Sequence, residues 1–95
     1  MLCSHIYLTV KRRIKDNEQI FEENEELIKV FEDRITTASE DFKLHDILDI
    51  SFKNMSGKKG FLYLHTTSGV YSYITNIEPV RLIEVYKELK NQHLI

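Results

Sequence analysis

The chain has one cysteine, Cys3, no apolar run long enough to span a bilayer, and a net charge of only −2. A single thiol near the terminus excludes an intramolecular disulfide and fits a reducing cytosol better than a secreted scaffold. The small net charge argues against a general nucleic-acid binder, whose electrostatic footprint is a strongly basic domain, so any cationic function must be local. The opening "MLCSHIYLTVKRR" has a short apolar run with no basic segment before it and charges soon after, unlike a signal peptide or a membrane span. Leu2-Cys3 matches part of a lipoprotein signal, but the long hydrophobic region is missing. The chain reads as intracellular, cytoplasmic and complete. No repeat, low-complexity tract or linker divides it.

What remains is ordinary globular material. With 95 residues, 42% hydrophobic and 29% charged, the chain is expected to form one domain over residues 1–95 around a single modest core.

Periodicity then assigns elements. Ile6, Leu8 and Val10 alternate with Tyr7, Thr9 and Lys11, the period-2 pattern of a half-buried strand. Asp16 to Asp33, "DNEQIFEENEELIKVFED", reads two ways. Ile20, Leu27, Ile28 and Phe31 share one face of a helix, with Asp16 and Gln19 as a capping box. Glu32-Asp33-Arg34 instead looks like a tight turn between "LIKVF" and "RITTA", both rich in strand-forming residues. We favour strands from about Leu27. In "LHDILDISFKN", Leu48, Ile50 and Phe52 alternate with Asp49, Ser51 and Lys53, and "NMSGKKG" follows as a hairpin loop.

"GFLYLHTTSGVYSYITN", Gly60 to Asn76, places aliphatic and aromatic residues on alternate positions. A three-residue loop of Thr67, Ser68 and Gly69 would pair Thr66 with Val70, Leu64 with Ser72 and Leu62 with Ile74, leaving Tyr63 opposite Tyr73 and His65 opposite Tyr71 on the other face. A two-residue loop would mix the sets, so the cleaner segregation favours three. In "NIEPVRLIEVYKELKNQ", Pro79 suits a first helical turn, and Leu82, Ile83, Tyr86 and Leu89 recur on one stripe of a helix of about four turns. Arg81, Glu84, Lys87, Glu88 and Lys90 are expected to face water.

Antiparallel strands followed by one amphipathic helix imply a mostly β fold with one helix. From about Leu27 to Lys90 the chain resembles the bacterial pleckstrin-homology-like (PH-like) domains. "FEDRITTAS" stands as their middle turn, "KLHDILDISF" as the next strand, "GFLYLHTTSGVYSYI" as the following hairpin and "EPVRLIEVYKELK" as the helix. The resemblance implies a small antiparallel β-barrel or roll capped by a C-terminal amphipathic α-helix. The chain has no Trp, which eukaryotic PH domains usually carry in that helix. "KRRIK" lacks clear phosphoinositide-motif spacing, so that ligand is not carried over. "LHDILDISFKN" through "VYKEL" is also similar to the core of LytTR-type DNA-binding domains. Those continue with a basic strand containing His and Arg where this sequence reads "NQHLI", so a small regulatory DNA-binding domain ranks second.

Chemistry is sparse. No nucleophile elbow, phosphate-cradling Gly loop or zinc-protease motif occurs. His45 and Asp46 read as turn residues. His5, His45, His65 and His93 lack paired ligand spacing, and Cys3 with His5 is a two-ligand fragment. His5 and His65 could be brought onto neighbouring strands in a structural role. No catalytic residue, metal or cofactor is assigned.

Two surfaces remain as candidates. Lys11, Arg12, Arg13 and Lys15, joined in space by Lys58 and Lys59, could hold a weak association with an anionic membrane at about 1 kcal/mol per cation. Glu18, Glu22, Glu23, Glu25 and Glu26 just downstream can neutralise that patch, which favours solvated loops. The second surface is the aromatic-polar face of Tyr63, His65, Tyr71 and Tyr73, extended by Tyr7, because Tyr combines a large apolar body with a polar tip. The reading is a non-enzymatic binding module for a protein or peptide first, an anionic membrane second and nucleic acid last, with self-association through open sheet edges.

Overall fold

A computed structural model of the protein describes residues 1–55 and 59–93. The fold is mostly β with one C-terminal helix. Seven antiparallel strands form one sheet: β1 (Cys3–Lys15), β2 (Glu18–Val30), β3 (Arg34–Thr36), β4 (Asp41–Lys43), β5 (Ile47–Asn54), β6 (Gly60–Thr66) and β7 (Gly69–Thr75). Helix α1 (Val80–His93) follows. Strand order is β4-β3-β2-β1-β7-β6-β5, so two meanders, β1–β4 and β5–β7, meet where β1 lies beside β7. That junction is a single ladder pair, Leu8 opposite Ile74.

The two edge strands, β4 and β5, are joined by one 3-10 turn, Leu44–Asp46, yet do not pair. The sheet therefore curls without closing into a barrel. Leu44 N–H donates to the Asp33 carbonyl at 2.9 Å and Thr67 N–H to the Asp46 carbonyl at 2.9 Å, so this turn is tied to both meanders.

Within Asp16 to Asp33, Glu18–Val30 is strand rather than helix, with a turn at either end. β2 runs the full 13 residues opposite β1, in register from Cys3–Val30 to Lys15–Glu18. The reason is the turn at Asp16-Asn17, where both residues have positive φ, 52° and 64°. That is the primed two-residue turn whose twist matches a hairpin, and Asp and Asn tolerate it where most residues do not. Glu32-Asp33 forms the expected tight turn, with Phe31 N–H donating to the Arg34 carbonyl at 2.8 Å.

The core lies inside the curl. Ile28, Val30, Ile35, Ile47, Leu62 and Leu64 are fully buried from the sheet, and Leu82, Val85, Tyr86 and Leu89 of α1 pack on them. The Pro79 carbonyl accepts the Ile83 N–H at 3.1 Å and starts the helix. Arg81, Glu84, Lys87 and Glu88 face water as expected, but Lys90 turns back, and its ammonium donates to the Leu44 carbonyl at 3.1 Å. Leu48 is the other exception. A bulge between Ile47 and Asp49 puts Ile47 in the core and leaves Leu48 exposed. Among the described residues, no helix is long and apolar enough to cross a membrane.

Candidate functional site

The β6–β7 hairpin decides which residues face outward. It closes through two loop residues, Thr67 and Ser68, with Thr66 opposite Gly69, rather than through three. Thr66 holds the tight turn: its hydroxyl donates to the Gly69 carbonyl at 2.8 Å and accepts from the Ser68 N–H at 3.2 Å. Gly69, at φ +130°, takes a backbone conformation that L side chains rarely adopt. The whole of β7 is thereby slid by one residue from the expected register, and every side chain on it changes face.

The aromatic face of Tyr63, His65, Tyr71 and Tyr73 is consequently divided. Leu62 lies opposite Tyr73 and Leu64 opposite Tyr71, facing the core; Tyr63 lies opposite Ser72 and His65 opposite Val70, facing out. Packing explains the outcome. Tyr73 meets Tyr7 edge to face with centroids 5.0 Å apart, and Tyr71 meets Phe42 likewise at 4.9 Å. These rings fill a curled interior that aliphatic residues alone would leave loosely packed. Tyr7, expected to extend the outer face, is buried, and its hydroxyl accepts from the Ala38 N–H at 3.1 Å. Burial pushes the Tyr73 hydroxyl up to about 12.

On the outside, β6 presents a row of rings. Phe61 and Tyr63 stack with centroids 6.1 Å apart, and His65 follows at 6.4 Å from Tyr63. The His65 Nε2 is 2.8 Å from the Ser51 hydroxyl on β5. Val70 and Ile74 of β7 border the row; Val70 is 60% exposed. Helix α1 lies on the opposite face of the sheet, so among the described residues no element covers this row. Phe61, Val70 and Ile74 were not among the expected site residues. A two-residue reading of "TTSG" would have brought Val70 and Ile74 there, while alternation with Tyr63 along β6 already put Phe61 on that face.

The Ser51–His65 contact invites a catalytic comparison. A working dyad needs its imidazole oriented by a third group beside a place where charge can develop. Asp49 is the ladder neighbour of His65, but it makes neither a hydrogen bond nor an ion pair with it among the described residues. The contact is a cross-strand pair on an open sheet.

The basic cluster lies on the outer half of β1, which projects as a two-stranded arm; the described residues span 58 × 26 × 23 Å, and residues 10–21 are all exposed. Strand alternation divides this cluster too. Lys11, Arg13 and Lys15 share one face and Arg12 takes the other. Acids stand opposite: Lys11 faces Glu22, Lys15 faces Glu18, and Arg13 makes a 2.9 Å ion pair with Glu22. Lys59 reaches Glu23 at 3.7 Å, and Lys58 lies outside the described residues. From Lys11 to Glu23 there are four cations and four carboxylates, so the arm offers no net positive surface.

His5 and His65 do not meet. β7 stands between their strands, and the His5 Nε2 is 2.9 Å from the Ile77 carbonyl. Burial pushes the Cys3 thiol up, against the nearby charge of Arg81, which makes it a poor nucleophile. No group of three or more His, Cys, Asp or Glu placed to hold a metal occurs among the described residues. Compared with family models, curated proteins and solved structures, the chain has no significant match in any of the three.

Proposed function

We propose that the chain is a non-enzymatic, cytoplasmic PH-like binding module that takes a partner protein on the outer face of β6 and β7. The observation that carries this reading is the uncovered row Phe61, Tyr63 and His65 flanked by Val70 and Ile74. Aromatic residues with a polar tip supply contact area at low conformational cost, which is why they are enriched at interfaces. His65 and Ser51 add a hydrogen-bonding border to an apolar centre. The PH-like part of the reading draws on the curled sheet, its ends joined by one turn, and the helix over the interior. Because the arm's acids match its bases, an anionic membrane or nucleic acid ranks below a protein.

A photoreactive residue placed at Tyr63 and activated in the native cells tests this. The expected result is one predominant protein adduct that disappears when Phe61→Asp is added. An adduct pattern no different from that of a label at Lys87, on the solvent side of α1, would overturn it.

A further inference from the structure

β1 and β7 fork beyond Leu8 and Ile74, and from Gly69 to Tyr73 the β1 side of β7 has no ladder partner among the described residues. A two-residue hairpin closes on a mutually hydrogen-bonded pair, here Thr66 and Gly69, and bonded pairs alternate with unbonded ones. Val70, Ser72 and Ile74 therefore turn their N–H and C=O groups away from β6. Ile74 meets Leu8 there, whereas those of Val70 and Ser72 face the open fork. The other free edges of the sheet carry the devices that keep edges from pairing with another chain. β4 has three residues, two of them the charged Asp41 and Lys43. β5 has a bulge between Ile47 and Asp49 and carries Asp49 and Lys53. The free edge of β1 carries Lys11, Arg12, Arg13 and Lys15. β7, "GVYSYIT", has no charge, no Pro and an unbroken register against β6.

We infer that the free edge of β7 takes one extended segment of the partner protein as an added strand, which rests on the reading of the β6–β7 row as a binding face and gives the partner its shape. The unpaired backbone groups select an extended main chain, because only that presents donors and acceptors at matching intervals. A strand that belongs to a folded sheet brings a neighbour on its far side, where the arm of β1 stands, so the fork favours a lone segment over the sheet edge of a second copy. The base of the fork also holds a cavity of about 300 Å³, with Thr9 on one wall and Ser72 and Tyr73 on the other. Ser39, from the loop between β3 and β4, lines its inner side, and that loop is held there by the Ala38 N–H bond to the Tyr7 hydroxyl at 3.1 Å. No charged side chain lines the cavity, so the residue that the segment directs inward is uncharged. Residues directed outward lie along Val70 and Ser72 and extend the row of Tyr63 and His65.

Random dodecapeptides displayed on phage and panned against the full chain supply the probes, and the enriched peptides are then synthesised. Their binding is expected to slow amide hydrogen exchange at Val70 and Ser72 about tenfold or more. Ser72→Pro removes an edge donor without touching a bond to β6, and should weaken binding about tenfold or more, while Ser72→Ala keeps the backbone and leaves the affinity in place. Near-ultraviolet circular dichroism checks that each variant is folded. Exchange at Val70 and Ser72 that a bound peptide leaves unchanged overturns the inference, whether or not Ser72→Pro folds. Equal affinity for wild type and a folded Ser72→Pro overturns it too, as does a library that yields no binder. Peptides lost with Phe61→Asp but kept by Ser72→Pro would remove the added strand and leave the binding-module reading standing.

Discussion

The Tyr86 hydroxyl donates to the Ile47 carbonyl at 3.0 Å, a buried bond that ties the middle of α1 to the first residue of β5 across 39 positions of sequence. Ile47 is also where the β5–β6 ladder is bulged, so its carbonyl needs a partner from outside the sheet. Tyr86→Phe removes the donor and leaves that carbonyl buried and unpaired. The expected cost is about 1–3 kcal/mol in urea unfolding, with an unchanged denaturant slope.

Two tyrosines should make the fold sensitive to strong base. Burial pushes the hydroxyls of Tyr73 and Tyr86 up to about 12, above the value near 10 of an unfolded chain. The native state therefore keeps protons that the unfolded state releases. Stability is full below about pH 10 and is lost as the pH rises through about 12. Tyrosinate absorbance should show two groups titrating late and together with unfolding. Tyr86→Phe should leave one.

Gly60 opens β6 directly under the ring of Phe52, and a Cβ at that position would collide with the ring's edge. Gly60→Ala is expected to cost about 1–3 kcal/mol, because the ring must leave its place against the core. Combining it with Phe52→Leu should cost less than the two separate losses added together. Additive losses in thermal unfolding would show that the contact is not the cause.

The arm turn can be tested apart from the core. Asp16 sits at φ 52°, which a β-branched residue adopts poorly. Asp16→Val should speed hydrogen exchange along the outer halves of β1 and β2 while leaving amides of β6 and the global unfolding midpoint unchanged. A fall in that midpoint would mean the arm and core unfold as one unit.

Much of the architecture was legible before the structure. Alternation marked β1 and most of β5, and the stripe Leu82, Tyr86 and Leu89 marked the helix, because each of these elements repeats its own period against one core. What was hidden depended on a single residue of spacing. Assigning Gly69 to the loop rather than to the strand moved Val70 and Ile74 inward and Tyr71 and Tyr73 outward, the reverse of what is found. Segregating aliphatic from aromatic residues was the wrong criterion, because Tyr7, Phe42, Tyr71 and Tyr73 supply core volume across the curl. β2 was hidden for another reason. Its outer half buries no side chain fully, so hydrophobic periodicity was weakest where cross-strand charge pairing and the Asp16-Asn17 turn set the structure.

The single ladder pair between Leu8 and Ile74 also bears on how the chain assembles. On either side of it, every paired strand is a neighbour in sequence, so each meander can form from local hairpins with little loop-closure cost. Docking the halves brings together residues more than sixty positions apart, and few backbone bonds reward that step. The seam where β1 touches β7 is thus held less by backbone bonds than by side chains, with Tyr7 packed edge to face on Tyr73 across it and α1 packed on the core that both halves share.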